Sequence, residues 1–177
     1  MTIHDEIILK LVEKDENGVM LLHKITNLPE NEEISFRIEH LFTLVWAGSK
    51  DLATPDITVF FKERIRDSKN PYANPPILGY AIEIENDIQW DFADSLRQIK
   101  KYFQGYYPIV IIPKIYERFK ALYEHEKIDV WLWSSNRVWE CMECGNIQIN
   151  EKTGKPNCTK CCSNQLRLKG ISDFKLE

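Results

Sequence analysis

Apolar residues at Ile3, Ile7, Ile8, Leu11 and Val12 recur at helical spacing and predict an amphipathic helix over residues 3–13. Asp15-Glu16-Asn17-Gly18 reads as a turn, and residues 19–25 form a second short apolar piece closed by Asn27 and Pro29. Ile34, Ile38, Leu41, Phe42 and Val45 mark one face of a further helix that closes near Gly48, with room for a strand between Val45 and Leu52. Strand patterns then take over. Residues 57–61 are rich in strand formers and follow Pro55-Asp56, residues 66–76 are polar with three prolines and read as a loop, and residues 77–84 read as the next strand. Phe92, Leu96, Ile99 and Phe103 mark a helix with Gly105 just beyond its end. Residues 108–113 are wholly apolar, as in a strand buried on both faces of a sheet. A helix over 115–123 and a strand over 128–133 complete the series. Helices alternating with strands predict an α/β fold with a mixed sheet.

Composition narrows this picture only slightly. The chain of 177 residues is 44% hydrophobic and 28% charged, enough for a real core. The net charge of −4 excludes a globally basic nucleic-acid coat. The charge is uneven, however. Residues 1–40 hold nine acids against four bases, whereas bases such as Arg97, Lys100, Lys101, Arg118, Lys160, Arg167 and Lys169 favour the second half. One face could therefore meet phosphates while the other stays in solvent. The longest apolar run is too short to span a bilayer, and the acidic N-terminus shows no export signal, so no membrane partner is expected.

The cysteines change the picture more. All five lie between Cys141 and Cys162, in two pairs, Cys141-x2-Cys144 and Cys158-x2-Cys161. Disulfide frameworks spread their cysteines, whereas a metal site gathers them, and two such pairs bring four thiolates tetrahedrally onto one Zn²⁺. A redox dithiol pair and an iron–sulfur site are the competing readings. Gly145 follows the first pair, where a knuckle needs positive φ. Cys162 could replace Cys161 with one more residue of spacing; Cys161 is the preferred ligand and Cys162 the spare thiol. Residues 138–177 resemble a zinc ribbon, and metal thiolates imply a reducing, cytoplasmic setting. Trp131, Trp133 and Trp139 suit either a core or the cement between ribbon and main domain.

Three carboxylates carry the remaining chemistry. Asp56 opens a strand after Pro55, and Glu83 and Glu85 end the next one in Tyr80-Ala-Ile-Glu-Ile-Glu-Asn86. Residues two apart on a strand share a face, so Glu83 and Glu85 project together, with Ile82 and Ile84 opposite. Their repulsion would be offset by a divalent cation, and pairing of the two strands would bring Asp56 to the same ion. His4, His23, His40 and His125 show no ligand spacing and read as surface or core residues.

Pro55-Asp56, a spacer, then Glu83-x-Glu85 on a strand followed by a helix resembles the PD-(D/E)XK superfamily of metal-dependent nucleases, which have the restriction-endonuclease-like fold. That resemblance implies an α-β-β-β-α-β core, matched in order to residues 33–113. It implies that Asp56, Glu83 and the main-chain carbonyl of Ile84 hold Mg²⁺ or Mn²⁺, and that Glu39 on the first core helix holds a second ion. Gln98-Ile-Lys-Lys-Tyr102 resembles the QxxxY helix motif of RecB-type members, which implies that Gln98 and Tyr102 face the bound strand. Most of the family has lysine where this chain has Glu85; a carboxylate there would orient or deprotonate water, and Lys100 or Lys101 could stand in for the missing charge.

The expected organisation is thus an N-terminal helical extension over 1–30, a nuclease-like core over 31–137 and a zinc ribbon over 138–177. The expected function is a divalent-metal-dependent deoxyribonuclease, with DNA as partner and with the pairing of two copies that nucleases of this fold often show. Two other classes stay open: a nuclease-fold protein that binds DNA or a partner without cutting, and a zinc-ribbon transcription-type factor with a helix-turn-helix over 5–46. Acids at Glu30, Glu32, Glu33 and Glu39 weigh against the last, since they would repel major-groove phosphates.

Overall fold

A computed structural model describes residues 2–39, 42–46, 49–65, 77–86, 88, 92–150 and 155–177. Helix α1 (Ile3–Val12) begins where a capping box dictates: Thr2 Oγ1 accepts from the Asp5 N–H at 3.1 Å and Asp5 Oδ2 accepts from the Thr2 N–H at 2.7 Å. Its buried stripe is Ile7, Ile8 and Leu11, as the periodicity predicts. The apolar piece after the turn becomes α2 (Leu21–Thr26), which ends at Asn27 in the left-handed region.

The next segment departs from expectation. In place of a helix closing near Gly48, the chain forms β1 (Ser35–Ile38) and then a hairpin of β2 (Phe42–Trp46) and β3 (Ser49–Ala53). The spacing of Ile34, Ile38, Leu41, Phe42 and Val45 fits a helix, but Ile34, Phe36 and Ile38 also alternate, and strand pairing settles such an ambiguity. β1 pairs antiparallel with β4 (Ile57–Ile65), and Glu39 at φ +47 bends the chain out of any helical path. Glu39 is therefore not a helix residue. The α-β-β-β-α-β unit expected over 33–113 lacks its opening helix there, and residues 30–39, which carry Glu30, Glu32, Glu33 and Glu39, do not form the recognition helix of a helix-turn-helix. The strand anticipated between Val45 and Leu52 is present as β3. The loop expected over 66–76 and His40 lie outside the described residues.

The later elements follow the order of the sequence pattern, but the strand expected over 128–133 runs on to Cys141. They are β5 (Ile77–Ile84), α3 (Phe92–Tyr102), β6 (Tyr106–Pro113), a 3₁₀ stretch (Lys114–Phe119), α4 (Lys120–His125), β7 (Asp129–Cys141), β8 (Ile147–Asn150) and β9 (Leu166–Leu176). The main sheet has seven strands in the order β1-β4-β5-β6-β7-β8, with β9 on the other side of β7. β1, β4 and β5 are antiparallel neighbours; β5, β6 and β7 are parallel, joined by crossovers through α3 and through the 3₁₀ stretch and α4. The molecule is a mixed α/β fold on a curled mixed sheet.

β6 shows why its apolar run was needed. Ile109 and Ile111 join Ile82, Ile84, α1 and α2 in one core, while Val110 and Ile112 join Ala81, Ile99 and Tyr102 in the other. A side chain of this kind, fully buried, contributes about 2 kcal/mol. β7 begins beside β6, passes residues 137 and 138 without a break, and ends at Cys141 between β8 and β9. β9 then runs back beside β7 until Leu132 and Glu177 exchange both backbone bonds, at 2.7 and 2.8 Å. No described helix is long and apolar enough to cross a membrane.

Candidate functional site

The acidic residues meet at one end of the sheet because of strand register. Ile38 pairs with Ile57 and Ile57 with Ile82, so the next row sets Glu39 beside Asp56 and Asp56 beside Glu83. The Glu39 N–H donates to the Asp56 carbonyl at 2.9 Å, which extends that row past the end of β1. Continuing the register sets Pro55 opposite Ile84. Proline has no N–H to offer the Ile84 carbonyl. The Ile84 N–H donates instead to Asp56 Oδ2, at 2.6 Å.

Glu83 faces α3. Gln98 Nε2 donates to Glu83 Oε1 and the Tyr102 hydroxyl to Oε2, both at 2.8 Å, and Gln98 and Tyr102 touch at 3.2 Å. One turn of helix separates these two residues, which is why they share a face. Lys100, two positions after Gln98, falls on the far side of the helix and pairs with Glu126 at 2.6 Å. Lys101 is half-buried, three residues after Gln98. The alternation of β5 is as expected: Ile82 and Ile84 enter the α1 core, and Glu83 and Glu85 lie on the α3 side, where the charge of both is felt at Tyr123. The Glu85 backbone is fixed by its N–H to the Ile111 carbonyl at 2.9 Å and by the Trp133 indole N–H to its carbonyl at 3.2 Å.

His4 is the residue that the sequence pattern did not reveal. It stands in the first turn of α1, and its Nε2 lies 3.0 Å from Asp56 Oδ1. The hydrogen bond to Asp56 raises its pKa against the opposing effect of burial, and the charges of Asp56, Asp5 and Glu39 add to the rise. The capping box announced where α1 begins, but nothing local announced that its first turn would reach Asp56. His23, by contrast, is buried and structural, with Nε2 3.0 Å from the Glu32 carbonyl.

Burial pushes Glu83 up to about 8, and the charges of Asp56 and Glu85 push the same way, against hydrogen bonds from Tyr102 and the Asp56 N–H. Burial and the Glu83 charge raise Tyr102 as well, which keeps its hydroxyl a donor. The carboxyl oxygens do not gather as tightly as the thiols do. Among the described residues, only Cys141, Cys144, Cys158 and Cys161 form a group of three or more such ligands within 4.8 Å of one another.

These four cysteines are close enough to bind a metal, with Sγ–Sγ distances of 3.5 Å for Cys141–Cys161 and 3.6 Å for Cys144–Cys158. The two pairs repeat one backbone design. The Gly145 N–H donates to the Cys141 carbonyl and the Cys162 N–H to the Cys158 carbonyl, both at 2.9 Å. Gly145 and Cys162 both have positive φ, at 68° and 62°. Cys162 thus occupies the knuckle position that glycine fills in the first pair. The fourth thiol of the group is Cys161. The N–H groups of Cys161 and Lys160 hold the Cys158 thiol down at about 6, while the neighbouring thiols push Cys144 and Cys161 up. A closed set of four thiols fits a structural zinc. Trp139 packs with Cys141, Cys158 and Leu166 and cements this unit, whereas Trp133 belongs to the main core.

Comparison of the chain with family models, with curated proteins and with solved structures returns no match.

Two outcomes are expected. Between the ordinary carboxyl value of 4.5 and about 8, the folded protein holds a proton on Glu83 that the unfolded chain has lost. Stability in magnesium-free buffer therefore falls as pH rises through that window, and Glu83→Gln flattens the slope. The His4 contribution also fades with rising pH but is common to both proteins, so melting temperatures of the pair over pH 5–9 isolate Glu83. Separately, Cys161→Ser should lose bound zinc by elemental analysis, while Cys162→Gly keeps it and gains about 1 kcal/mol in denaturant melts from relief of left-handed strain.

Proposed function

We propose that this chain is a divalent-metal-dependent deoxyribonuclease of the restriction-endonuclease-like kind. The observation that carries the reading is the row Glu39–Asp56–Glu83 across three neighbouring strands, with Glu83 half-buried beside Asp56 and held there by Gln98 and Tyr102. Packing alone gives no reason to set such a carboxyl beside a second one, and perturbed acids cluster where chemistry is done. The antiparallel run β1-β4-β5, then α3, then parallel β6 supports the same reading. So does α1, which brings a helix to Asp56 where the segment 33–45 does not.

In this reading Asp56, Glu83 and the Ile84 carbonyl would hold Mg²⁺ or Mn²⁺, and Glu39, next to Asp56 in the same row, would serve a second ion. A bound ion would supply an acidified water and would stabilise charge on the scissile phosphate. Glu85 would orient water there and accept its proton. Gln98 and Tyr102 fix the Glu83 carboxylate, so their part is to aim a ligand as well as to face the substrate. Lys101 offers the positive charge that Glu85 cannot; Lys100 is engaged by Glu126. The thiol centre is structural, and its arm offers Lys160 to the DNA backbone, while Arg167 and Lys169 are paired with Glu140.

A second reading rests on Glu85 itself. A carboxylate in place of lysine also suits a protein that keeps the fold and binds DNA or a partner without cutting. Calorimetry with Mn²⁺ separates the two, since the second expects no binding that depends on Asp56 and Glu83.

Purified protein should cut at least one of duplex, branched or single-stranded DNA in Mg²⁺ or Mn²⁺. Asp56→Ala and Glu83→Ala should each lower the rate at least about a hundredfold, and Tyr102→Phe about tenfold. No cleavage across the panel, or equal rates for wild type and Glu83→Ala, would overturn the assignment.

A further inference from the structure

The first two turns of α1 touch two distant parts of the fold. His4 meets Asp56 at 3.0 Å. Two residues on, about 3 Å along the helix axis, the half-buried Glu6 reaches β9, where its Oε2 accepts the Ile171 N–H at 2.9 Å. The adjoining residue of β9 is Gly170, and a Cβ built there would stand 2.6 Å from Glu6 Oε1 and 2.8 Å from Oε2. A glycine thus leaves room for the carboxylate against the strand, and a methyl group there would push the end of the Glu6 side chain aside. The apolar stripe of α1, Ile7, Ile8 and Leu11, gives burial but little direction, because aliphatic contacts tolerate sliding. A charged acceptor on a backbone N–H is directional and fixes the helix along its axis.

We infer that Glu6 and Gly170 are positioning residues: they clasp α1 to β9 and so hold His4 against Asp56 at the carboxylate centre. The inference rests on the reading of that centre as a metal site and extends it to residues that touch neither metal nor substrate. The clasp also ties the centre to the thiol-bearing arm. β9 begins at Leu166, which packs on Cys141 and Cys158, and Gly170 lies four residues further along. Between Leu168, opposite Trp139, and Gly170, opposite Val138, β9 takes up one extra residue, so this bulge together with the arm sets where Glu6 finds its donor.

Mn²⁺ affinity of the zinc-loaded full chain, measured by electron paramagnetic resonance of free Mn²⁺, tests this. Gly170→Ala and Glu6→Asp should each weaken binding about tenfold, the loss of one charge-assisted hydrogen bond. Glu6→Gln keeps an acceptor oxygen and should stay within about threefold of wild type. Combined, Gly170→Ala and Glu6→Asp should bind better than their separate losses multiplied, because the shorter acid withdraws from the new methyl group. A merely destabilising change would not produce that recovery. If Gly170→Ala does not fold, the contrast between Glu6→Asp and Glu6→Gln decides alone. Wild-type affinity in Gly170→Ala or Glu6→Asp, or strict multiplication in the double variant, would overturn the clasp while leaving the metal site standing. A wild-type chain that binds no Mn²⁺ beyond that of Glu83→Ala would overturn both.

Discussion

The antiparallel pairing of the start of β4 with the end of β5 is the contact on which the acidic edge depends. It places Asp56 and Glu83 side by side and leaves Ile84 facing a proline. Two like charges in such a place oppose folding. The fold answers with donors: the Asp56 N–H, Gln98 and Tyr102 for Glu83, and the Ile84 N–H and His4 for Asp56. Protonation of Glu83 removes the rest of the penalty. A divalent cation would remove it differently, by making both charges favourable at once.

The two candidate centres differ in how they are assembled. The four thiols come from two local turns of the same design, each closed by its own backbone bonds, so the geometry is written into a short stretch of chain. The carboxylate centre draws on α1, the end of β1, β4, β5 and α3. It exists only when the whole sheet has formed and the helices have docked. This difference explains why the cysteine donor atoms sit within one tight group while the acids are spread along a row.

The same difference governs what could be read from the chain. The cysteine ligands were legible, including the choice of Cys161, because spacing alone carries a knuckle. The alternation of Glu83 with Ile82 and Ile84 was legible because strand parity is rigid, and the partnership of Gln98 with Tyr102 because helix spacing is. The apolar spacing from Ile34 to Val45 misled because it satisfies a helix and a pair of strands alike, and only the pairing of β1 with β4 and of β2 with β3 decides between them. His4 was hidden because its role comes from the docking of α1, a tertiary event with no local mark. Lys100 looked equivalent to Lys101 until the turn of α3 set it opposite Gln98.

β7 passes from the core into the thiol-bearing arm without a joint, and β9 returns along it to the Leu132–Glu177 pair. A shared strand transmits loss of order in either direction. A metal held by the cysteines would therefore act as ballast for the entire molecule: its free energy of capture would be spread through the sheet, and stripping it would loosen the distant acidic rim rather than unravel a detachable appendage.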